Sequence, residues 1–196
     1  IAPVAYFGYP GLPSRLAPLE SLRVLGEPGD DNTAALEALA DALNATQDAG
    51  GIATESYASP TGELTPQHVG RILSNHLPDG AIVSIEGGTC GYPFVTASAR
   101  AARHTLLTNT GGAIGQGLPV AFGAAVACPD RRVIALQSDG SACYTVQSLW
   151  SMARERCDIT VLIASNRRYG ILQTELKRAG VQSFGPKALA LTEFDP

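Results

Sequence analysis

One stretch of the chain, residues 132–172, constrains the fold most, because it predicts a strand, a glycine turn, a helix and a second strand in succession. Residues 132–137 and 159–164 are short apolar runs bounded by turn-forming residues, a pattern typical of strands buried on both faces. Between these runs, four apolar residues recur at helical spacing: Val146, Leu149, Trp150 and Ala153. This order predicts a parallel crossover, in which the loops after both strands lie at one edge of the sheet.

Polar residues follow both predicted strands at that edge. Asp139 lies in the turn after the first strand, and Asn166 follows the second. Both offer oxygen atoms, and Mg²⁺ prefers about six oxygen ligands, commonly one or two carboxylates with carbonyls, waters and substrate phosphates. Gly140 and Ser141 open the helix, where free backbone N–H groups and the positive end of the helix dipole favour a phosphate. The sequence therefore predicts a metal and phosphate site between the two loops.

The two loops resemble the cofactor motif of thiamine diphosphate-dependent enzymes, in which a Gly-Asp-Gly turn is followed after a set interval by a pair of Asn residues. Here Ser138 stands at the first Gly and Ser165 at the first Asn. The resemblance implies that Asp139, Asn166 and the backbone carbonyl of Arg168 hold Mg²⁺ against the diphosphate. It assigns no certain catalytic residue to this chain.

The residues that follow this motif are assigned by the same resemblance. Tyr169 is expected beside the cofactor, and Ile171 and Leu172 are expected to line the substrate site. Some pyruvate decarboxylases carry a Glu at the position of Leu172. The apolar residue here resembles the one that benzoylformate decarboxylases and acetolactate synthases carry at this position.

A second glycine-rich segment, residues 109–128, ends a predicted short strand and opens an apolar helix. It matches neither the G-x-G-x-x-G nor the Walker A pattern, and its small residues also suit close packing of a helix on a sheet. Beside the Asp139 motif, it resembles the family segment that faces the aminopyrimidine. The resemblance implies that the Gly112 carbonyl contacts the 4'-amino group and that the Ile114 side chain forces the cofactor into a V shape.

The loop after the first strand of this region carries a looser match. Thr89 and Cys90 stand where relatives place small hydroxyl residues near the diphosphate, and an ordinary turn is an equal alternative. Glu86 precedes them, and the chain has three His residues. We expect these four residues at helix surfaces or loop edges rather than in catalysis: Glu86, His68, His76 and His104.

The predicted architecture is a doubly wound α/β domain with a mainly parallel sheet and helices on both faces. Residues 1–45 resemble the tail of a preceding central domain, 46–64 are polar and predict a linker, and 65–196 form an incomplete diphosphate-binding domain. Thr65 before Pro66 predicts the start of its first helix. Other predicted elements are helices at 32–43 and 94–102, strands at 81–85 and 105–108, and a loop at 180–196.

Composition excludes several classes. The 196 residues carry 14 basic and 18 acidic side chains without a basic run, which argues against nucleic acid binding. No stretch of the sequence reaches the ~18 apolar residues of a membrane span, and none has the pattern of a signal peptide. The four cysteines lack C-x-x-C spacing, so we expect reduced, buried thiols in a cytoplasmic protein. Because the chain starts without Met, we expect it to be cut from a longer one.

The resemblance implies one half of an active site: the part that holds diphosphate and Mg²⁺ in an enzyme that decarboxylates a 2-oxo acid, with or without carboligation. The pyrimidine-binding domain, whose Glu activates the cofactor, is expected on the same or a partner subunit of a homodimer or homotetramer. The fragment alone is then expected to be inactive. Two alternatives stay open: a binding module without catalysis, and an unrelated doubly wound nucleotide-binding domain. The substrate is not specified by the sequence.

Overall fold

The computed structural model describes residues 19–21, 23–27, 29–45 and 55–193. The chain divides into two compact units, Ile1–Gly51 and Ile52–Pro196. The first contains helix α1 (Asn32–Ala42), which begins where the sequence predicts it because the Asp31 side chain accepts the first free backbone N–H groups of the helix. The predicted domain boundaries at 45 and 64 stay a prediction.

The second unit alternates helices and strands along the chain. Its elements are α2 (Pro66–His76), β1 (Ala81–Ile85), α3 (Gly88–Ala97), β2 (His104–Thr108), α4 (Gly117–Ala127), β3 (Val133–Ser138), α5 (Asp139–Ala142), α6 (Ser148–Arg154), β4 (Ile159–Ala164), α7 (Gly170–Arg178) and α8 (Pro186–Thr192). The predicted cap of α2 is confirmed, because Thr65 accepts a backbone hydrogen bond and Pro66 is the first helical residue. None of the helices in the described ranges is both long and apolar enough to cross a membrane.

The sheet is parallel throughout, with strand order β2-β1-β3-β4. One core lies between the sheet and α2 with α3, and includes Leu73, Leu77, Val83, Phe94 and Leu136. The other lies between the opposite face and α4 with α6, and includes Leu118, Ala121, Val133, Ala135 and Met152. Helices therefore cover both faces, which confirms the predicted doubly wound α/β fold. The strand order reverses between β1 and β3, and ligands of such folds bind at that reversal, outside the carboxyl ends of the strands.

The strands differ in burial from the sequence prediction. β1 and the first five residues of β3 are fully buried, as expected for central strands. β4 was expected to be buried on both faces, but Ile163 is 47% exposed and no residue of the strand is fully buried. Its position at the end of the strand order explains this, since an edge strand receives less cover from the helices.

Helix α3 begins at Gly88, well before the predicted residue 94, and a 3₁₀ turn at Ser98–Arg100 follows it. The prediction failed because Pro93 lies inside the helix, where proline removes a backbone donor and usually marks a helix end. Tight packing of α2 overrides that preference. A Cβ on Gly70 of α2 would lie 2.8 Å from the Pro93 carbonyl oxygen, so the two backbones are in direct contact.

The helix predicted after Asp139 is divided into α5 and α6, and its buried face differs from the prediction. Val146 and Trp150 are 50% and 65% exposed, and Ala153 is exposed. Ser148 and Met152 face the core instead. The break places Val146 before α6, and within α6 the core-facing side is that of Ser148 and Met152, with Leu149 partly buried. The Arg154 guanidinium lies over the Trp150 ring, 5.1 Å from the ring centre.

Two further segments differ from the predicted loops. Helix α8 lies within 180–196, and Pro186 at its first position is the same start signal as Pro66 in α2, here after Gly185 in place of a side-chain cap. Tyr57 lies within residues 46–64, and its backbone N–H and carbonyl form a hydrogen-bonded pair with the Asn75 side chain. This part of the predicted linker is therefore anchored to α2.

All four cysteines are free thiols, as expected, but their burial varies. Cys90 is buried, Cys128 and Cys157 are partly buried, and Cys143 is exposed. The expectation of four buried thiols is wrong for Cys143, which caps the one-turn helix α5 at the carboxyl edge of the sheet.

Candidate functional site

The carboxyl edge of the sheet gathers the loops that follow all four strands. Ser138 at the end of β3 is in register with Ala164 at the end of β4, so the loops carrying Asp139 and Asn166 start side by side. The loop after β1 starts next to β3 on the other side. The structure thus brings the sequence-predicted polar residues to one edge.

The Asp139 carboxylate connects the loops after β3 and β4. It is only 5% exposed. Its Oδ1 accepts the N–H of Gly140 at 2.9 Å. Its Oδ2 accepts the backbone N–H of Arg167 at 2.7 Å and the hydroxyl of Ser165 at 3.2 Å. The residues on both sides of Asn166 in the chain therefore contact Asp139, and the negative charge is stabilised by three donors in a site with little water.

The remaining oxygen lone pairs fit a hard cation. A carboxylate offers about four acceptor positions, and the three hydrogen bonds to Asp139 leave one of them open. Asn166 Oδ1 accepts the N–H of Arg168 at 2.9 Å and keeps a second lone pair. The described residues contain no cluster of three or more His, Cys, Asp or Glu side chains. A metal here would therefore depend on carbonyl, water or phosphate oxygens beside Asp139, which is the ligand mixture that Mg²⁺ commonly takes.

The turn at residues 138–141 has an ordinary backbone. Ser138 has φ −103° and ψ 156°, an extended conformation that does not require glycine. Its N–H donates to Ser141 Oγ at 3.3 Å, which closes the first turn of α5. The Ser138 side chain fits because Gly87 lacks a Cβ: an added Cβ would lie 2.6 Å from Ser138 Oγ. The substitution of Ser for the family Gly therefore leaves the turn intact.

Tyr169 covers Gly140 from the neighbouring loop. A Cβ on Gly140 would lie 2.5 Å from Tyr169 Cε1, so the ring rests directly on the glycine backbone. The backbone N–H of Tyr169 donates to Thr192 O at 2.8 Å, and Arg168 forms a bridge with Glu193. The segment after Asn166 is thus fixed by the end of α8. Ile171 and Leu172 follow in the first turn of α7, 51% and 47% exposed.

The glycine-rich loop after β2 is held by Glu86. Gly112 and Gly115 have φ of 71° and 97°, where other residues are strained. The N–H groups of Gly115 and Gly117 both donate to the Glu86 carboxylate, the second at 2.7 Å. Thr145 Oγ1 donates to Gly115 O at 2.7 Å. Ile114, between these contacts, is 55% exposed.

Sequence reasoning missed Glu86. We expected it at a surface or loop edge, but it is only 6% exposed and directly follows the central strand β1. The available signal was an acidic residue directly after five apolar or small residues of a buried strand, since a buried carboxylate requires donors. Its partners were not identifiable, because they lie about thirty positions further along the chain.

The remaining predicted residues lie in or near this region. Thr89 is in the first turn of α3, and its side chain is outside the described residues. Cys90 Sγ donates toward Gly87 O at 3.5 Å and lies 3.9 Å from Ser138 Oγ. Burial raises the pKa of the Cys90 thiol, so it is neutral at physiological pH. The three histidines lie elsewhere: His68 and His76 on α2, and His104 at the start of β2.

The family model described as thiamine pyrophosphate enzyme, C-terminal TPP binding domain, matches residues 88–196. The chain belongs to this family. The matched range of this TPP-binding domain includes the loops after β2, β3 and β4. The resemblance seen in the sequence is therefore confirmed.

Relatives of this TPP-binding domain carry the names of two kinds of enzyme. A Mycobacterium tuberculosis protein named as an acetolactate synthase large subunit, IlvX, is 48% identical over 98% of this chain and 38% of its own length. Benzoylformate decarboxylase of Pseudomonas aeruginosa is 33% identical over 60% of this chain and 22% of its own length. The chain thus spans less than two fifths of these relatives.

A solved structure has the same fold. The thiamine diphosphate-dependent 4-hydroxybenzoylformate decarboxylase of Rhodococcus jostii RHA1 superposes with a TM-score of 0.63 and 27% sequence identity. The alignment covers 80% of this chain and 30% of that chain. The architecture of this TPP-binding domain therefore agrees with that of a known cofactor-dependent decarboxylase.

Proposed function

We propose that this domain holds the diphosphate and a Mg²⁺ ion of thiamine diphosphate in an enzyme that decarboxylates a 2-oxo acid, with or without carboligation. The observation that carries the proposal is the buried Asp139 carboxylate, which joins two loops at the carboxyl ends of adjacent parallel strands. Asp139, Asn166 and the carbonyl of Arg168 would hold the metal. Gly140 and Ser141 would lie against the diphosphate.

The donor set supports this assignment through its chemistry. A buried carboxylate needs compensation for its lost hydration, and a divalent cation at Asp139 would add to the three hydrogen bonds already present. Oxygen donors without thiolate or imidazole select Mg²⁺ or a similar hard ion over zinc. The Gly140 N–H donates to Asp139, so this donor positions the metal ligand and the diphosphate would draw on other groups of the turn.

When bound, thiamine diphosphate supplies a carbon nucleophile for the substrate carbonyl and an electron sink for the loss of CO₂. The chain's own residues would provide position. The Gly112 carbonyl and the Ile114 side chain would face the aminopyrimidine and set the cofactor's shape. Ile171 and Leu172, both about half exposed, would line the substrate site with apolar surface. A pyrimidine-binding domain from the same or a partner subunit would complete the site, so the domain alone should bind the cofactor weakly.

Calorimetric titration of the full-length protein with thiamine diphosphate, with and without MgCl₂, tests the proposal. Asp139→Ala should weaken Mg²⁺-dependent binding by about a hundredfold or more, because a direct ligand contributes at least as much as the groups that orient ligands. Asp158→Ala is the matched control, since Asp158 is an exposed carboxylate paired with Arg132. Equal affinity of Asp139→Ala and Asp158→Ala would refute the assignment.

Release of CO₂ from benzoylformate and from pyruvate, followed in the same preparations, tests the reaction. We expect the cofactor-loaded wild-type protein to release CO₂ from at least one of these probes and Asp139→Ala to release none. Cofactor binding without turnover of any 2-oxo acid would instead identify a binding module without catalysis.

A further inference from the structure

We propose that Glu86 and Gln137 form a buried polar anchor that fixes the loop carrying Gly112 and Ile114 relative to the turn carrying Asp139. Glu86 is then a positioning residue, acting through the backbone of the loop. This inference rests on the proposed function, because it concerns the orientation of two walls of the same cofactor site.

Glu86 contributes two charge-assisted contacts. Its carboxylate accepts the N–H of Gly115 and, at 2.7 Å, the N–H of Gly117. Gly117 is the first residue of α4, a helix of 11 residues, so the carboxylate also lies at the positive end of that helix dipole. Hydrogen bonds of this type are about twice as strong as those between neutral groups. The loop is thus tied to the end of β1 at two points that follow Ile114.

Gln137 connects this anchor to the diphosphate turn. Its side chain is fully buried, and Nε2 has no hydrogen-bond partner among the described residues. The Ser141 hydroxyl lies 3.4 Å from its Oε1 and 3.1 Å from Ser138 O, so the one hydroxyl proton is shared between these two acceptors. An added Cβ on Gly117 would overlap Gln137 Nε2 and lie 2.6 Å from Glu86 Oε2, so the amide and the carboxylate border one small space. The Nε2 atom, unpartnered in the part of the chain that the structure describes, therefore faces the same space as the carboxylate that holds Gly117.

The loop's function depends on this anchor because Ile114 has little packing of its own. It is 55% exposed, and its position is set by the backbone that follows it. That backbone is held by Glu86 and by Thr145 at Gly115. Losing the Glu86 contacts should therefore displace Ile114 without weakening the diphosphate contacts on β3 and β4.

Backbone amide exchange in the cofactor-free full-length protein tests the anchor directly. Glu86→Gln should raise the exchange rates of Gly115 and Gly117 by about tenfold or more, the loss expected for one hydrogen bond to a charged group. Glu63→Gln, an exposed acid, is the control and should change neither rate. Unchanged exchange at both glycines in Glu86→Gln would overturn the anchor. If Glu86→Gln does not fold, Gln137→Met is the second variant, since it keeps the length and burial of the side chain. It should raise the exchange rate of Gly117, and an unchanged rate would also overturn the anchor.

The cofactor-loaded protein provides a second readout. Deuterium exchange at the thiazolium C2 requires no substrate and reports cofactor orientation, whereas the dissociation constant reports mainly the diphosphate contacts. Glu86→Gln should slow C2 exchange by about tenfold while the dissociation constant changes less than about threefold. A parallel loss in both would indicate a merely structural role. If the wild-type protein does not bind thiamine diphosphate, the proposed function fails, and amide exchange still decides whether the anchor exists.

Discussion

The backbone N–H of Arg167 donates to Oδ2 of Asp139 over 2.7 Å and joins the loops that follow two adjacent strands. Arg167 has φ 53°, a left-handed conformation that is uncommon for a residue with a long side chain. The bond offsets part of that strain. The Asp139 carboxylate thus holds the loop that carries Asn166. The two predicted metal ligands are therefore positioned by the same contact.

Replacing Asp139 by Asn tests this loop connection without the cofactor. Asn has one oxygen, so in either orientation its NH₂ group faces a donor: the Gly140 N–H, or the Arg167 N–H with the Ser165 hydroxyl. We expect the free energy of unfolding to fall by about 1–3 kcal/mol, as for a buried donor left unsatisfied. Urea unfolding measures it, with Asp158→Asn as an exposed control expected to change stability by less than about 1 kcal/mol. Equal stability of both variants would contradict the connecting role of Asp139.

Gly140→Ala tests the contact with Tyr169. The added methyl would lie 2.5 Å from Tyr169 Cε1, so the ring must move away from the turn. We expect a loss of about 1–3 kcal/mol in unfolding free energy, as in an overpacked core, and altered Tyr169 fluorescence. Gly123→Ala is the matched control: apart from its own helix backbone and chain neighbours, nothing lies within 4 Å of its added Cβ, and in the α4 interior it should stabilise by about 0.5–1 kcal/mol. A harmless Gly140→Ala would show that the ring does not rest on the glycine.

Ile114 should act through its bulk. Because its side chain is 55% exposed, Ile114→Leu and Ile114→Gly should both leave the midpoint of thermal unfolding within a few degrees of wild type. Ile114→Leu should keep most of the C2 exchange rate of bound thiamine diphosphate, and Ile114→Gly should lose about a hundredfold, since misplaced reacting groups cost rates of this order. If Gly serves as well as Leu, the wedge role of Ile114 is wrong.

Thiol reactivity should separate Cys143 from Cys90. Cys143 is exposed, whereas Cys90 is 2% exposed with a raised pKa, so little reactive thiolate is present at neutral pH. Iodoacetamide at pH 7.5 should therefore modify Cys143 within minutes and spare Cys90 until the protein unfolds. Peptide mass spectrometry measures both sites in one sample. Early modification of Cys90 in folded protein would show that the loop after β1 opens readily.

The raised pKa of Cys90 also predicts a pH dependence of stability. Burial keeps the proton on the folded-state thiol at pH values where the unfolded chain has lost it. This contribution is complete below the ordinary thiol pKa of about 8.5 and is lost as pH rises through the higher folded-state value. Wild-type protein should therefore lose more unfolding free energy between pH 7 and pH 10 than Cys90→Ala does. Parallel loss in both proteins would assign the effect to other groups.

The sequence predicted β1 and β4 closely because each is a short run of apolar and β-branched residues between turn signals. It also predicted the loops of Asp139 and Asn166 at one edge, since parallel strands place their carboxyl ends together. It failed at Pro93, where contact with α2 outweighs a local preference against helix. It failed at Glu86 because a buried carboxylate is defined by partners distant in the chain. Local pattern thus predicted the elements, and long-range contacts decided the exceptions.

Gly87 and Ser138 face each other between the loops after β1 and β3, and the serine hydroxyl occupies the space where a Cβ at 87 would be. An added Cβ at 87 would also lie 2.6 Å from Cys90 Sγ and 3.0 Å from the Ser138 backbone nitrogen. A side chain at 87 therefore needs changes in more than one neighbour at once. Substitutions at positions 87, 90 and 138 are thus not independent in evolution.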